Sequence, residues 1–271
     1  MDRFGKICRG IKEVRIQGAR NVARAALHAY GINPTAKSKK ILLGLRPTEP
    51  MLARVLYLAD KIPMQKILRH FDEAQGKINS FAMKILKNKM LILTHCHSTN
   101  VSNSLIYAKK HGRNFSVYNT ETRPLFQGRR TARELSKAGI KVTMIEDSAA
   151  GDALEKGGRI EKADVFVIGA DALLSNGDVI NKIGSNMFAE IAHNNHVPVY
   201  VIADAWKFSA GNVKIEERNY NEIWKHAPRH VKIRNPAFEK VKAKYITAIV
   251  SDLGILKPGQ FVKAAKKEGM K

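Results

Sequence analysis

MLILTHCHS, residues 90–98, joins a four-residue apolar run, Met90-Leu91-Ile92-Leu93, to an abrupt polar cluster, Thr94-His95-Cys96-His97-Ser98. A short continuous apolar run closed by polar residues is the mark of a strand buried on both faces of a parallel sheet. Ser98 and Thr99 offer side-chain caps for a helix running to about His111. A strand that feeds a helix through a short polar loop places that loop at the strand's carboxyl end, where open α/β proteins hold their ligands. Cys96 is therefore expected in a pocket.

Downstream of this stretch the pattern repeats. Strand-like runs recur at 115–118, 142–145, 165–168, 199–202 and 248–250, with helical candidates at 100–110, 130–137, 152–154 and 185–194. Strands alternating with helices predict parallel pairing through right-handed crossovers, a doubly wound sheet. The stretch 208–236, punctuated by Asn212, Asn219 and Pro228, reads as an irregular surface wrap. Upstream the texture is helical. VRIQGARNVARAALHAYG (14–31) spaces Val14, Val22, Ala25, Ala26 and Ala29 for a helix that Gly31 would end, and helical spacing returns over 48–59 and 64–87. The fold class is α/β, with a helical N-terminal domain (1–88) and a ligand-binding, Rossmann-like domain (89–271).

Composition excludes several classes. Hydrophobic residues at 44% and charged residues at 26% are those of an ordinary globular chain, and no apolar window reaches membrane-span length. With no signal-like N-terminal stretch, a cytoplasmic protein is expected. Two cysteines, Cys8 and Cys96, make neither a disulfide framework nor a CxxC zinc site. The net charge of +23 is spread along the chain, +12 over residues 1–88 and +11 over the rest. It is compatible with a generally basic surface, a polyanion-binding face or steering of anionic ligands. No GxxxxGK[ST] or GxGxxG occurs, so neither a P-loop nor an ordinary dinucleotide site is supported.

Almost every strand candidate ends in chemically useful residues, and parallel pairing would bring these ends to one edge. Cys96 follows the first. Glu121, Arg123 and Arg129 follow the second, Glu146-Asp147-Ser148 the third, Gly169-Ala170-Asp171 and Asn181-Lys182 the fourth, and Asp204 the fifth. Two small residues before Asp171 let backbone approach a ligand closely. A thiol and a carboxylate flanking a substrate serve as general acid and base, and burial would raise both pKa values. Arg123, Arg129 and Lys182 are suited to phosphate oxygens. Together these point to sugar-phosphate isomerisation without a cofactor. Each has a plainer role: Cys96 as a small core residue, Asp171 as a helix cap. His95, Cys96 and His97 do not form a metal trio on extended backbone, where neighbours point to opposite faces.

Five segments carry a resemblance: IQGARNVA (16–23), ILTHCHS (92–98), TETRPLFQGR (120–129), GADALLSNGDVINKIG (169–184) and YITAIVSDLG (245–254). The chain resembles the family that unites the α, β and δ regulatory subunits of translation initiation factor 2B with methylthioribose-1-phosphate isomerase and archaeal ribose-1,5-bisphosphate isomerase. The resemblance implies a helical domain on a Rossmann-like domain, assembled as dimers or dimer-based hexamers. It implies Cys96 and Asp171 as catalytic residues. A phosphate grip would be formed by Gln17-Gly18-Ala19-Arg20, Ser98, Arg123, Arg129, Asn181 and Lys182. Isomerases of the family carry Arg where Gln17 stands, and ribose-bisphosphate isomerases read Cys-Asn-Ser where this chain has Cys96-His97-Ser98. Those departures lean toward an archaeal-type regulatory homologue that binds a phosphorylated sugar or nucleotide and contacts the α subunit of initiation factor 2. Retention of Cys96 and Asp171 leans toward the isomerase. Arg15 and Arg20 are the cations nearest Gln17, expected on other faces of one helix.

Overall fold

The computed structural model describes residues 2–270. Five helices come first: α1 (Arg3–Lys12), α2 (Ala19–Ile32), α3 (Ala36–Leu45), α4 (Pro50–Ala59) and α5 (Met64–Ile85). Then follow β1 (Leu91–Thr94), α6 (Thr99–Lys110), β2 (Ser116–Thr120), α7 (Gln127–Lys137), β3 (Lys141–Ile145), β4 (Val165–Ile168), β5 (Ala172–Leu174), β6 (Val179–Lys182) and α8 (Ser185–Asn194). The remainder is β7 (Val199–Ile202), β8 (Phe208–Ser209), β9 (Phe238–Val241), β10 (Ala248–Ser251), β11 (Gly254–Leu256) and α9 (Pro258–Lys267).

The main sheet has the order β11-β10-β7-β4-β1-β2-β3 and is parallel except for β11. The chain starts in the middle at β1, winds outward to β3, and returns to the other side of β1 as β4. The reversal of direction therefore falls between β1 and β4, where the loops after adjacent strands leave in opposite directions and open a crevice. β1 shows why its apolar run is continuous. Leu91 and Leu93 enter one core layer with Phe166, Ile168 and Phe188, while Ile92 enters the other with Val101, Leu105 and Val117. A third core lies among the front helices. Val22, Ala26 and Ala29 stand on one stripe of α2 and meet Leu52, Val55 and Leu56 of α4. Burying each large aliphatic chain there contributes about 1.5–3 kcal/mol.

The structure corrects several sequence expectations. Gly31 lies inside α2, which runs to Ile32; the helix stops where Asn33 precedes Pro34. Val14, at φ +58, lies between α1 and α2 rather than in a helix. The candidate at 152–154 is a set of turns after a 3₁₀ turn at Asp147–Ala150, too short and glycine-flanked to propagate. α1, α3, α9 and a second sheet, β8-β5-β6-β9, were not anticipated. Residues 208–236 are irregular apart from β8, a 3₁₀ turn at Tyr220–Glu222 and a bridge between Glu217 and Pro236.

Candidate active site

The loop after β1 is held by its own backbone. Cys96 has φ +67, a conformation that costs a non-glycine residue on the order of 1 kcal/mol and persists only where neighbours enforce it. They do so here: the Cys96 N–H donates to Thr122 Oγ1 at 2.9 Å, and its carbonyl accepts from Thr131 Oγ1 at 2.9 Å. Buried His95 sets Nδ1 2.6 Å from Thr120 Oγ1 and Nε2 2.9 Å from the Ile183 carbonyl. His97 turns to Thr131 Oγ1 at 3.1 Å. The two imidazoles thus have separate partners on separate elements. Ser98 caps α6 through Val101 N–H. A Cβ on Gly169 would sit 2.5 Å from Ser98 Cβ and Oγ, so the ends of β1 and β4 meet closely only because residue 169 has no side chain.

One cavity gathers most of the expected site. Gln17, Gly18, Ala19, Arg20, Cys96, Ser98, Asp171, Asn181 and Lys182 all line it. Gly18 is the N-cap of α2 at φ +84 with no side chain to satisfy the first-turn N–H groups. Because Gln17 and Gly18 precede the helix, Gln17 and Arg20 share the cavity wall instead of diverging; Arg15 pairs with Glu13 at 2.9 Å. Asp171 is fixed by its N–H to the Ile180 carbonyl at 2.8 Å, and Asn181 Nδ2 donates to Ser185 Oγ at 2.9 Å.

Arg123 and Arg129 are not on this wall. Phe126, left-handed at φ +56, offers its ring to both: the guanidinium carbons lie 4.9 and 3.8 Å from its centroid, and Arg129 also faces Glu121 at 3.6 Å. Sequence reasoning in turn missed Arg46, Glu49, Lys207, Arg218 and Glu222 as cavity residues. Glu49 falls in the stretch 48–59 read as helical, but α4 begins only at Pro50; the Glu49 side chain makes no cap bond and lines the cavity instead.

Burial governs the electrostatics. It pushes the Cys96 thiol to about 11, with Asp171 adding to the rise and Lys182 opposing it, so the group is a thiol at neutral pH. Asp171 is raised for the same reason, against the pull of Lys207, Arg46 and Lys182. Burial lowers Lys207, whose ammonium donates to the Ala170 carbonyl at 2.6 Å. His95 and His97 are both lowered to about 4 by burial and are neutral. Elsewhere, His70, Asp204 and Asp252 bring one ligand atom each within 4.8 Å. Both carboxylates there already hold backbone, Asp204 the Trp206 N–H and Asp252 the Ala205 N–H, while His70 stacks on Trp206 at 3.5 Å. They tie α5 to the sheet.

An open parallel sheet with a cavity at its strand-order reversal, and with a thiol and a carboxylate on the cavity wall, defines an α/β protein of Rossmann-like architecture. Comparison with known proteins narrows the class. The model of the initiation factor 2 subunit family matches residues 58–258, and the chain belongs to that family. It is 33% identical to the ribose 1,5-bisphosphate isomerase of Methanocaldococcus jannaschii, covering 95% of this chain and 92% of that protein. It is 36% identical to the methylthioribose-1-phosphate isomerase of Pelotomaculum thermopropionicum, over 86% and 68% of the two chains. Among solved structures it resembles the Pyrococcus horikoshii OT3 translation initiation factor eIF-2B, with a TM-score of 0.83, 26% identity and coverage of 97% and 99%. Among the described residues no helix is long and apolar enough to cross a membrane.

Proposed function

We propose that the chain is an aldose–ketose isomerase acting on a phosphorylated sugar, with Cys96 as acid and Asp171 as base. One observation carries this reading. Cys96 and Asp171, from the ends of neighbouring strands, line the same cavity, one as a thiol and the other as a carboxyl of raised basicity. In the proposed step the Cys96 thiol gives its proton to the ring oxygen as the C1–O bond of the sugar breaks. Asp171 takes the C2 hydroxyl proton, the C2 hydrogen moves with its electron pair to C1, and C2 becomes the carbonyl. The proton on Asp171 then restores the thiol, so atoms and electrons balance without an oxidant or cofactor. Gln17, Gly18, Ala19, Arg20, Ser98, Asn181 and Lys182 would position the phosphorylated ligand.

The test is turnover of sugar 1-phosphates to ketoses by purified protein beside Cys96→Ser and Asp171→Asn. Loss by about 10² or more in each variant is expected of proton-transfer groups. An unchanged rate in either variant removes that residue from the mechanism. A second reading, a regulatory homologue that binds the α subunit of initiation factor 2, is favoured by neutral Gln17 on the cavity wall where the family's isomerases carry Arg. Capture of that subunit at micromolar protein without any sugar turnover would favour it over the enzyme. In either case we propose helical (1–88) and ligand-binding (89–271) domains and a homo-oligomer, which light scattering would measure.

A further inference from the structure

The cations of the cavity are largely spent on the protein itself. Arg46 meets Glu49 at 2.8 Å and Glu216 at 3.2 Å. Arg218 meets Glu222 at 2.6 Å, and Arg20 meets Asp72 at 2.6 Å. Lys207 is held by the Ala170 carbonyl. Lys182 alone among these five has neither a carboxylate within 4 Å nor a hydrogen bond from its ammonium among the described residues. A phosphoryl group carries nearly two charges, and the unengaged Lys182 ammonium with the uncapped first-turn N–H groups of α2 is the place in the cavity that suits one.

Glu49 makes the opposite demand. Its side chain is 1% exposed, it lines the cavity, and neither carboxylate oxygen accepts a hydrogen bond from the protein; the contact with Arg46 is close but out of hydrogen-bond alignment. A buried acceptor without a donor costs about 1–3 kcal/mol, and a ligand hydroxyl would recover it. A second phosphoryl group in the same place would meet the Glu49 and Glu216 carboxylates with Arg46 already neutralised between them. The two demands lie in different neighbourhoods. Cys96 senses Lys182 and Asp171, whereas Glu49 senses Arg46, Asp171, Lys207 and Glu216, so Asp171 is common to both.

We propose that Glu49 is a specificity residue, and that the cavity takes a sugar with one phosphoryl group, held by Lys182, and a free hydroxyl presented to the Glu49 carboxylate. This rests on the sugar-phosphate reading of the cavity but not on turnover.

Calorimetric binding of ribose 1-phosphate and ribose 1,5-bisphosphate at pH 8 to the wild-type protein, Glu49→Gln and Glu49→Asp tests it, with an isomerisation assay run alongside. The wild type should bind the monophosphate about tenfold or more tighter than the bisphosphate. Glu49→Gln, which removes the charge and keeps the volume, should shrink that ratio to within about threefold by gaining on the bisphosphate, while Glu49→Asp keeps the discrimination. Equal or tighter binding of the bisphosphate by the wild type overturns the proposal, as does an unmoved ratio in Glu49→Gln or failure of both sugars to bind at about 1 mM. The expected binding ratio without turnover supports the specificity role and refutes the isomerase. Turnover with the opposite preference does the reverse.

Discussion

Replacing Glu49 by Gln gives a stability change whose size depends on pH. Burial lifts the carboxyl from 4.5 to about 7, with nearby Arg46 opposing the rise and Asp171 and Glu216 adding to it. The folded-state value lies above the unfolded one, so folding binds a proton at pH values between them. Wild-type stability from this group is therefore lost as pH rises from about 4.5 to about 7, and the loss is complete above that. A displacement of about 2.5 pH units is worth about 3.4 kcal/mol, of which about 2.5 kcal/mol develops between pH 5 and pH 8. Glu49→Gln has no such proton to lose. Urea unfolding of both proteins at pH 5, 6, 7 and 8 should show the variant gaining on the wild type by about 2.5 kcal/mol over that range. Titrating groups that do not interact with Glu49 cancel in the difference. A difference flat to within about 0.5 kcal/mol, or one in which the wild type gains as pH rises, would refute the picture of a desolvated carboxyl facing an already occupied arginine.

Three further outcomes are expected. At pH 8 the thiolate fraction of Cys96 should be about 100-fold below that of an ordinary cysteine, so iodoacetamide should label it correspondingly slowly by mass spectrometry; labelling as fast as free glutathione contradicts the burial. Gly169→Ala places a methyl group 2.5 Å from Ser98 and should cost about 1–3 kcal/mol together with sugar binding, read by thermal unfolding and calorimetry. Wild-type stability in that variant would mean the β1 and β4 loops separate freely. Arg123→Ala and Arg129→Ala, whose guanidinium groups lie over Phe126 outside the cavity, should change sugar affinity by less than about threefold; a tenfold loss in either would bring that arginine into the site.

The parallel sheet was legible because burial on both faces writes continuous apolar runs, and the runs at 165–168 and 199–202 coincide with β4 and β7. Cys96 and Asp171 could be found because parallel order obliges strand ends to converge, whereas Asn181 and Lys182 reach the same cavity from β6, an antiparallel strand of the second sheet. The small second sheet could not. Its strands are two to four residues long, below the length at which alternation is visible. Arg46 drew no reading, and Glu49 was absorbed into the helical stretch 48–59, because their role depends on Glu216 and Lys207, more than 150 residues away in the chain. The paths of Arg123 and Arg129 were hidden for a different reason: the left-handed turn at Phe126 that draws both onto one ring has no glycine to announce it.

The strap that closes over Arg46 and Glu49 has a bearing on how the molecule assembles during synthesis. Thr48 Oγ1 donates to the Lys214 carbonyl at 2.9 Å and accepts from the Glu216 N–H at 3.2 Å, pinning the irregular segment to the entrance of α4. Residues 46 and 49 are synthesised long before 214–216, so the contacts that this segment makes with Thr48 and Arg46 can form only once it arrives. Closing that distant loop is costly in chain entropy and therefore late. The part of the cavity around Arg46 and Glu49 takes its shape from a contact of long sequence separation, and loosening of the 210–220 segment would be expected to disturb it first.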